Sequence, residues 1–185
     1  KTTELMLGHK AQTHRALQKL VETNFNYLDA LMDAGIDGIF FASQYINKYV
    51  ITPELYDEFC EPYDKMILDY VKDRTWFNIM HVHGEKGLMF DKCLDYQVQA
   101  FSWENCAVGV PDNEVFTVKQ ARDLTDKILI TGLARHHDFH DPNNDRGVLK
   151  ERFRRRLLTA MKECQDQRFV FAPGCALPMD VDRYV

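Results

Sequence analysis

The chain has 185 residues, is 45% hydrophobic and 12% aromatic, and carries a formal net charge of −5. That length and apolar content suit a folded domain with a real core and exclude a disordered chain. The acidic balance is the wrong sign for a protein whose main partner is nucleic acid, and no apolar run approaches the ~20 residues that a membrane span needs.

From Thr13 to Ala34 the apolar residues Leu17, Leu20, Val21, Phe25, Leu28, Leu31 and Met32 fall at helical spacing. They predict a long amphipathic helix ended by Gly35. Gly38 to Ser43 (GIFFAS) reads as a short buried strand. Thr52 and Pro53 form a helix start, with Thr52 as N-cap and Pro53 in the first helical position. That helix continues to Lys72 with a kink at Pro62. Trp76 to His83 is the next strand, Gly87 to Asp95 a shorter helix, and Ala100 to Glu104 a third strand. A helix over Val118 to Asp126, a strand over Ile128 to Leu133, a helix over Gly147 to Cys164 and a strand over Phe169 to Ala172 follow; Asp180 onward could open another helix.

This alternation of helix and strand predicts an α/β protein with a parallel sheet, because parallel neighbours need long crossovers. Strands such as GIFFAS and FVFAP are apolar on both faces, as a sheet covered by other structure requires. Two architectures fit: an open doubly wound sheet and a (β/α)8 barrel. No glycine-rich phosphate loop follows any strand, which counts against the first. A barrel usually takes about 250 residues and eight strands, so this one would be incomplete. The chain begins at Lys1 rather than at methionine, as a piece of a longer protein would. If the chain is whole, an open sheet edge would call for a partner chain or self-association to close it.

The five cysteines are odd in number and irregularly spaced, without a C-x-x-C pair. That usage fits a reducing compartment, and with no signal-peptide pattern a cytoplasmic location follows by default. Cys60, Cys93, Cys106 and Cys164 fall in helical or loop positions and receive no role.

The stretch Asn78-Ile79-Met80-His81-Val82-His83-Gly84 organises the chain. Residues two apart on a strand share a face, so His81 and His83 point the same way at the strand's C-terminal end. Ligands bind at that end in α/β folds. Phe169 to Cys175 repeats the plan with a cysteine at its tip. If the three meet, the simplest chemistry for His81, His83 and Cys175 is zinc, with three protein ligands and one open position. The bland readings are packing or hydrogen bonding for the histidines and a small buried residue for Cys175. Trp103 is either core or a pocket wall; Glu104, next to it at a strand end, could orient a ligand histidine or take up a proton. Gln44 could line the pocket. Asp37 precedes its strand, at the wrong end, and reads as structural. His136, His137 and His140 with Asp138 and Asp141 match no metal spacing and read as a polar loop over the site; Arg152, Arg154, Arg155 and Arg156 read as a solvated helix face, with an anion site as the alternative.

Several short motifs then stand in one order. They are Asp33-Ala34-Gly35-Ile36-Asp37-Gly38, Thr52-Pro53-Glu54, Glu61-Pro62-Tyr63, His81-Val82-His83-Gly84, Trp103, Thr131-Gly132-Leu133, and Pro173-Gly174-Cys175-Ala176-Leu177-Pro178. In that order they resemble the C-terminal part of the uroporphyrinogen decarboxylase superfamily, which holds the heme-pathway decarboxylase and the zinc-dependent corrinoid methyltransferases such as methylcobalamin:coenzyme M methyltransferase. The resemblance implies a (β/α)8 barrel whose N-terminal strands are missing here, with the strands present being roughly the fourth to the eighth.

In the decarboxylase branch the resemblance implies an N-terminal arginine motif, a serine after one strand and a histidine after the last. Ser43 falls at the serine position, with a strand-end cap as its alternative. The histidine position is Cys175, and the arginine motif is not present. In the methyltransferase branch the resemblance implies zinc on a His-x-Cys pair and a cysteine in a Gly-Cys step. His81, His83 and Cys175 match that pattern, with His83 replacing the first cysteine. The expected function is therefore zinc-dependent methyl transfer to a small-molecule acceptor from a corrinoid or corrinoid protein. A tetrapyrrole-type carboxy-lyase and a non-catalytic tetrapyrrole- or corrinoid-binding barrel are the alternatives.

Overall fold

The structure is a computed structural model that describes residues 2–143, 145–165, 167–179 and 181. The helix suggested from Asp180 onward lies almost wholly outside the described residues. Five strands, β1 (Phe40–Ser43), β2 (Ile79–Val82), β3 (Ala100–Trp103), β4 (Ile128–Leu133) and β5 (Phe169–Pro173), form one parallel sheet in the order β1-β2-β3-β4-β5. Each strand pairs with the next in sequence. A doubly wound sheet reverses its order at a switch point; this one winds in a single direction, as a (β/α)8 barrel does.

The two faces of the sheet are unlike. One packs against helices: Met80, Val82, Phe101, Trp103 and Leu129 are fully buried there with Tyr56, Phe59, Leu68 and Phe90. The other face is open, leaving Phe40 60% and Val170 47% exposed. The fold is therefore an arc of a barrel, helices outside and the would-be lumen uncovered.

Local sequence explains most of the helices. α1 (Thr2–Gly8) and α2 (Lys10–Asp33) precede β1, and α2 ends where Gly35 adopts φ +83°. α3 (Pro53–Phe59) starts as expected, with the Thr52 side chain accepting from Leu55 N–H. The kink expected at Pro62 is a full break. Cys60 leaves helical backbone at φ −118°, and α4 (Glu61–Val71) starts afresh with Pro62 in its first turn, where a missing N–H costs nothing. α5 (Val118–Leu124) carries a Thr117/Gln120 capping box, and α6 (Arg146–Glu163) is capped by Asp145.

The helix expected over Gly87 to Asp95 does not form; only Phe90–Cys93 curls, as a 3₁₀ turn. Gly87 has φ +66°, and this segment hydrogen-bonds to the loop after β1: Lys48 N–H donates to Gly87 O at 2.9 Å and Met89 N–H to Ile46 O at 3.1 Å. Those tertiary bonds hold the backbone extended against its helical propensity.

Candidate metal centre

Register places the site residues. Ala42, His81, Ser102, Ile130 and Val170 are successive Cα partners across the five strands. They form one row on the open face, and two residues further along come Gln44, His83 and Ala172. Beyond β2 the chain must turn at once, and Gly84 (φ +139°) makes that turn against Asn47, where a Cβ would lie 2.5 Å from Asn47 Nδ2. Beyond β5 Gly174 lets the backbone pass against β3, since a Cβ there would fall 2.5 Å from Glu104 Cα. The two glycines thus deliver His83 and Cys175 to the same place.

His81, His83 and Cys175 converge, with one ligand atom from each lying within 4.8 Å of the others. A tetrahedral zinc with bonds of ~2.0–2.3 Å needs its ligand atoms ~3.3–3.8 Å apart, so closing the site takes side-chain adjustments of about 1 Å. His83 Nδ1 already lies 3.8 Å from Cys175 Sγ. The donor set of two imidazoles and one thiolate suits zinc. His81 is buried, and burial, helped by His83 and Arg135, pushes its pKa down to about 4. At neutral pH it is an uncharged imidazole, the form that ligates. Its Nδ1 lies 3.3 Å from Ser102 Oγ. With the Nδ1 proton on that bond, Nε2 is left bare for a metal. The trio lies in an apolar cavity of 610 Å³ lined also by Phe40, Ala42, Gln44, Ile130 and Arg135.

Arg135, from the loop after β4, is the cavity's charged neighbour. Its Nη1 donates to Cys175 Sγ at 3.2 Å and its Nη2 to Glu85 Oε1 at 3.1 Å. Sequence reasoning missed Arg135 and Ser102. Ser102 was reachable, because it shares the parity of Glu104 and Cα pairing puts it beside His81. Arg135 carried no signal, lying in a polar loop without periodicity.

The remaining expectations divide by face. Gln44 lines the cavity. Ser43 does not: one residue earlier on β1, it points to the helix layer, where its hydroxyl donates to Asp64 Oδ2 at 3.3 Å. Trp103 likewise faces outward, fully buried, with Nε1 donating to Phe116 O at 2.7 Å and its ring edge-on to Phe90. It is core rather than cofactor wall. Glu104 is buried behind Gly174 and not on the cavity wall. Burial pushes its pKa up to about 7, and its Oε2 has no hydrogen-bond partner among the described residues. The side chain next to His81 Nδ1 is that of Ser102, not Glu104.

The loop of His136, His137 and His140 is tied to α6. Arg156 grips the buried Asp138 through Nε (2.9 Å) and Nη2 (3.3 Å), and Arg152 donates to the carbonyls of His137 and His140. Asp37 accepts from Trp76 Nε1 at 2.7 Å, a structural bond at the far end of the sheet. All five cysteines are free. No helix among the described residues is long and apolar enough to cross a membrane.

Fold and site together define an α/β barrel-type protein with three donors that could hold a metal ion, grouped at the C-terminal ends of its strands. The family model for uroporphyrinogen decarboxylase (URO-D) matches residues 1–184, and the chain belongs to that family. Among solved structures it is similar to a methyltransferase from Methanosarcina mazei, with a TM-score of 0.71 at 14% sequence identity; the match covers 97% of this chain and 48% of that one. The chain thus spans about half the length of that structure, and at this identity the likeness is one of fold. No curated protein matches the sequence.

Proposed function

We propose that the protein is a zinc-dependent methyltransferase that takes its methyl group from a corrinoid, free or protein-bound. The observation that carries this reading is the convergence of His81, His83 and Cys175 within 4.8 Å at the strand ends. The family, and the fold likeness to a methyltransferase, agree with it. These three residues would hold the ion and leave a fourth position open. When bound, zinc supplies Lewis acidity that lets a methyl acceptor such as a thiol lose its proton near neutral pH.

The chain's own groups do the rest. Ser102 Oγ, 3.3 Å from His81 Nδ1, can accept a hydrogen bond from that nitrogen and so leave Nε2 for the metal, and burial keeps the ring neutral. Phe40, Ile130 and Ala172 give the acceptor an apolar wall, and Gln44 offers it a hydrogen-bonding amide. Glu104, whose pKa burial raises to about 7, lies behind Gly174 rather than on the cavity wall, so it is not placed to take the acceptor's proton directly. A methylcorrinoid would supply the methyl group, which would replace the acceptor's proton, the electron pair of the broken cobalt–carbon bond staying with cobalt.

The test is metal content and turnover. Purified without a metal-affinity tag, the wild-type protein should carry about one zinc per chain, as a single three-ligand site requires, and should demethylate methylcobalamin in the presence of a thiol. Cys175→Ala should lose both. A wild-type protein that takes up no zinc when supplied would sink this reading. The family's carboxy-lyase chemistry, or plain tetrapyrrole binding, would then lead.

A further inference from the structure

A cation sits where a metal site least favours one. The trio supplies a single negative charge, that of the Cys175 thiolate, so a divalent ion held by it keeps a net charge of about +1. Arg135 places a second positive charge against the same sulfur, Nη1 to Sγ at 3.2 Å. Its guanidinium is fastened on the other side by Glu85, at 3.1 Å from Nη2, while its Nε is buried without a partner among the described residues. It lines the cavity together with His81, His83 and Cys175.

We propose that Arg135 shares Cys175 with the metal and so sets how tightly, and how electron-poor, the site holds it. This rests on the zinc reading above. With the metal bound and Cys175 its thiolate ligand, the adjacent guanidinium repels the ion and draws charge from the sulfur. A sulfur that donates to zinc while accepting a hydrogen bond from a guanidinium donates less, and the metal stays more acidic. Glu85 tempers this by holding part of the guanidinium's charge to itself.

Arg135 is therefore a positioning residue of the metal site, and Glu85 its counterweight. Both lie in loops and outside the hydrophobic core, with side chains 23% and 41% exposed. Neighbours of metal ligands typically shift affinity 10–100-fold.

The experiment is zinc affinity by competition with a chromophoric chelator at about pH 8, on wild type, Arg135→Gln and Glu85→Gln, with the cobalt(II) spectrum of each. Arg135→Gln should bind zinc about tenfold more tightly. Its sulfur-to-cobalt charge-transfer band should move to longer wavelength, since the sulfur lone pair loses its hydrogen bond. Glu85→Gln should bind more weakly and shift the band oppositely or not at all. A packing role would move neither the band nor the two affinities in opposite directions. If wild type binds zinc and Arg135→Gln binds it equally or less well, the inference fails while the zinc reading stands. If none of the three proteins binds zinc, both fall.

Discussion

The same strands carry two polar clusters, one on each face, and they are built differently. On the helix-covered face Asp64 Oδ2 accepts from Ser43 Oγ at 3.3 Å and Tyr56 OH at 3.2 Å, while Tyr96 OH, 2.8 Å from the Tyr56 oxygen and 3.4 Å from Asp64 Oδ2, divides its one proton between them. Its members satisfy one another inside the fold. On the open face His81, His83 and Cys175 stand around a space, and Arg135 Nε and Glu104 Oε2 nearby have no hydrogen-bond partner among the described residues. A closed network fixes packing, whereas donors aimed at a shared point ask for something to bind. The contrast separates a structural polar cluster from a ligand site, though both contain groups with displaced pKa values.

The largest effect should come from the covered face. Trp103→Ala removes a fully buried ring that packs on Phe90 and Phe116. It should cost about 3–5 kcal/mol of stability, read by denaturant unfolding, while the protein that remains folded still binds metal. The matched change on the open face, Ser102→Ala, should leave stability within about 1 kcal/mol and weaken zinc binding about tenfold. Were Trp103→Ala to spare stability and abolish metal binding, the division of the two faces would be wrong.

A smaller effect separates them by pH. Burial pushes the Asp64 carboxyl from 3.8 up to about 7, against the three hydroxyls that pull it down. The folded state therefore binds a proton that the unfolded state has lost. The stability this gives is fully present below about pH 4 and is lost as pH rises towards 7. His81 has the opposite sign: its pKa falls from 6.5 to about 4, so its contribution is present above 6.5 and lost as pH falls through that window. Subtracting the melting temperature of Asp64→Asn from that of wild type across pH isolates the first term. The difference should fall by a few degrees as pH rises through about 4 to 7 and then level off. A flat difference would mean that Asp64 is ordinary.

The comparison also shows what sequence could and could not carry. The strand at Ile128–Leu133 was legible to the residue, because a short apolar run between helices has few other readings. His81, His83 and Cys175 were legible because strand-end position and parity are written in the chain. Parity failed in GIFFASQ, which is apolar on both faces and gives no alternation to say whether Ser43 or Gln44 looks inward. The covering helices decide it, and Ser43 goes to Asp64. Trp103 lost its place at the site for the same one-residue reason. The missing helix at Gly87–Asp95 was a tertiary override, since loop contacts with Ile46 and Lys48 outbid local propensity. Arg135 is set by how the polar loop after β4 is tied to α6 through Asp138, His137 and His140, and loops of that kind have no period to read.

The most direct measurement is X-ray absorption at the zinc edge of the loaded protein. It should show a first shell with two nitrogen ligands at about 2.0–2.1 Å and one sulfur at about 2.3 Å, plus one light atom in the open position, with the sulfur lost in Cys175→Ser. A shell without sulfur in the wild type, or one left unchanged by that substitution, would contradict the assignment of His81, His83 and Cys175 as the metal centre.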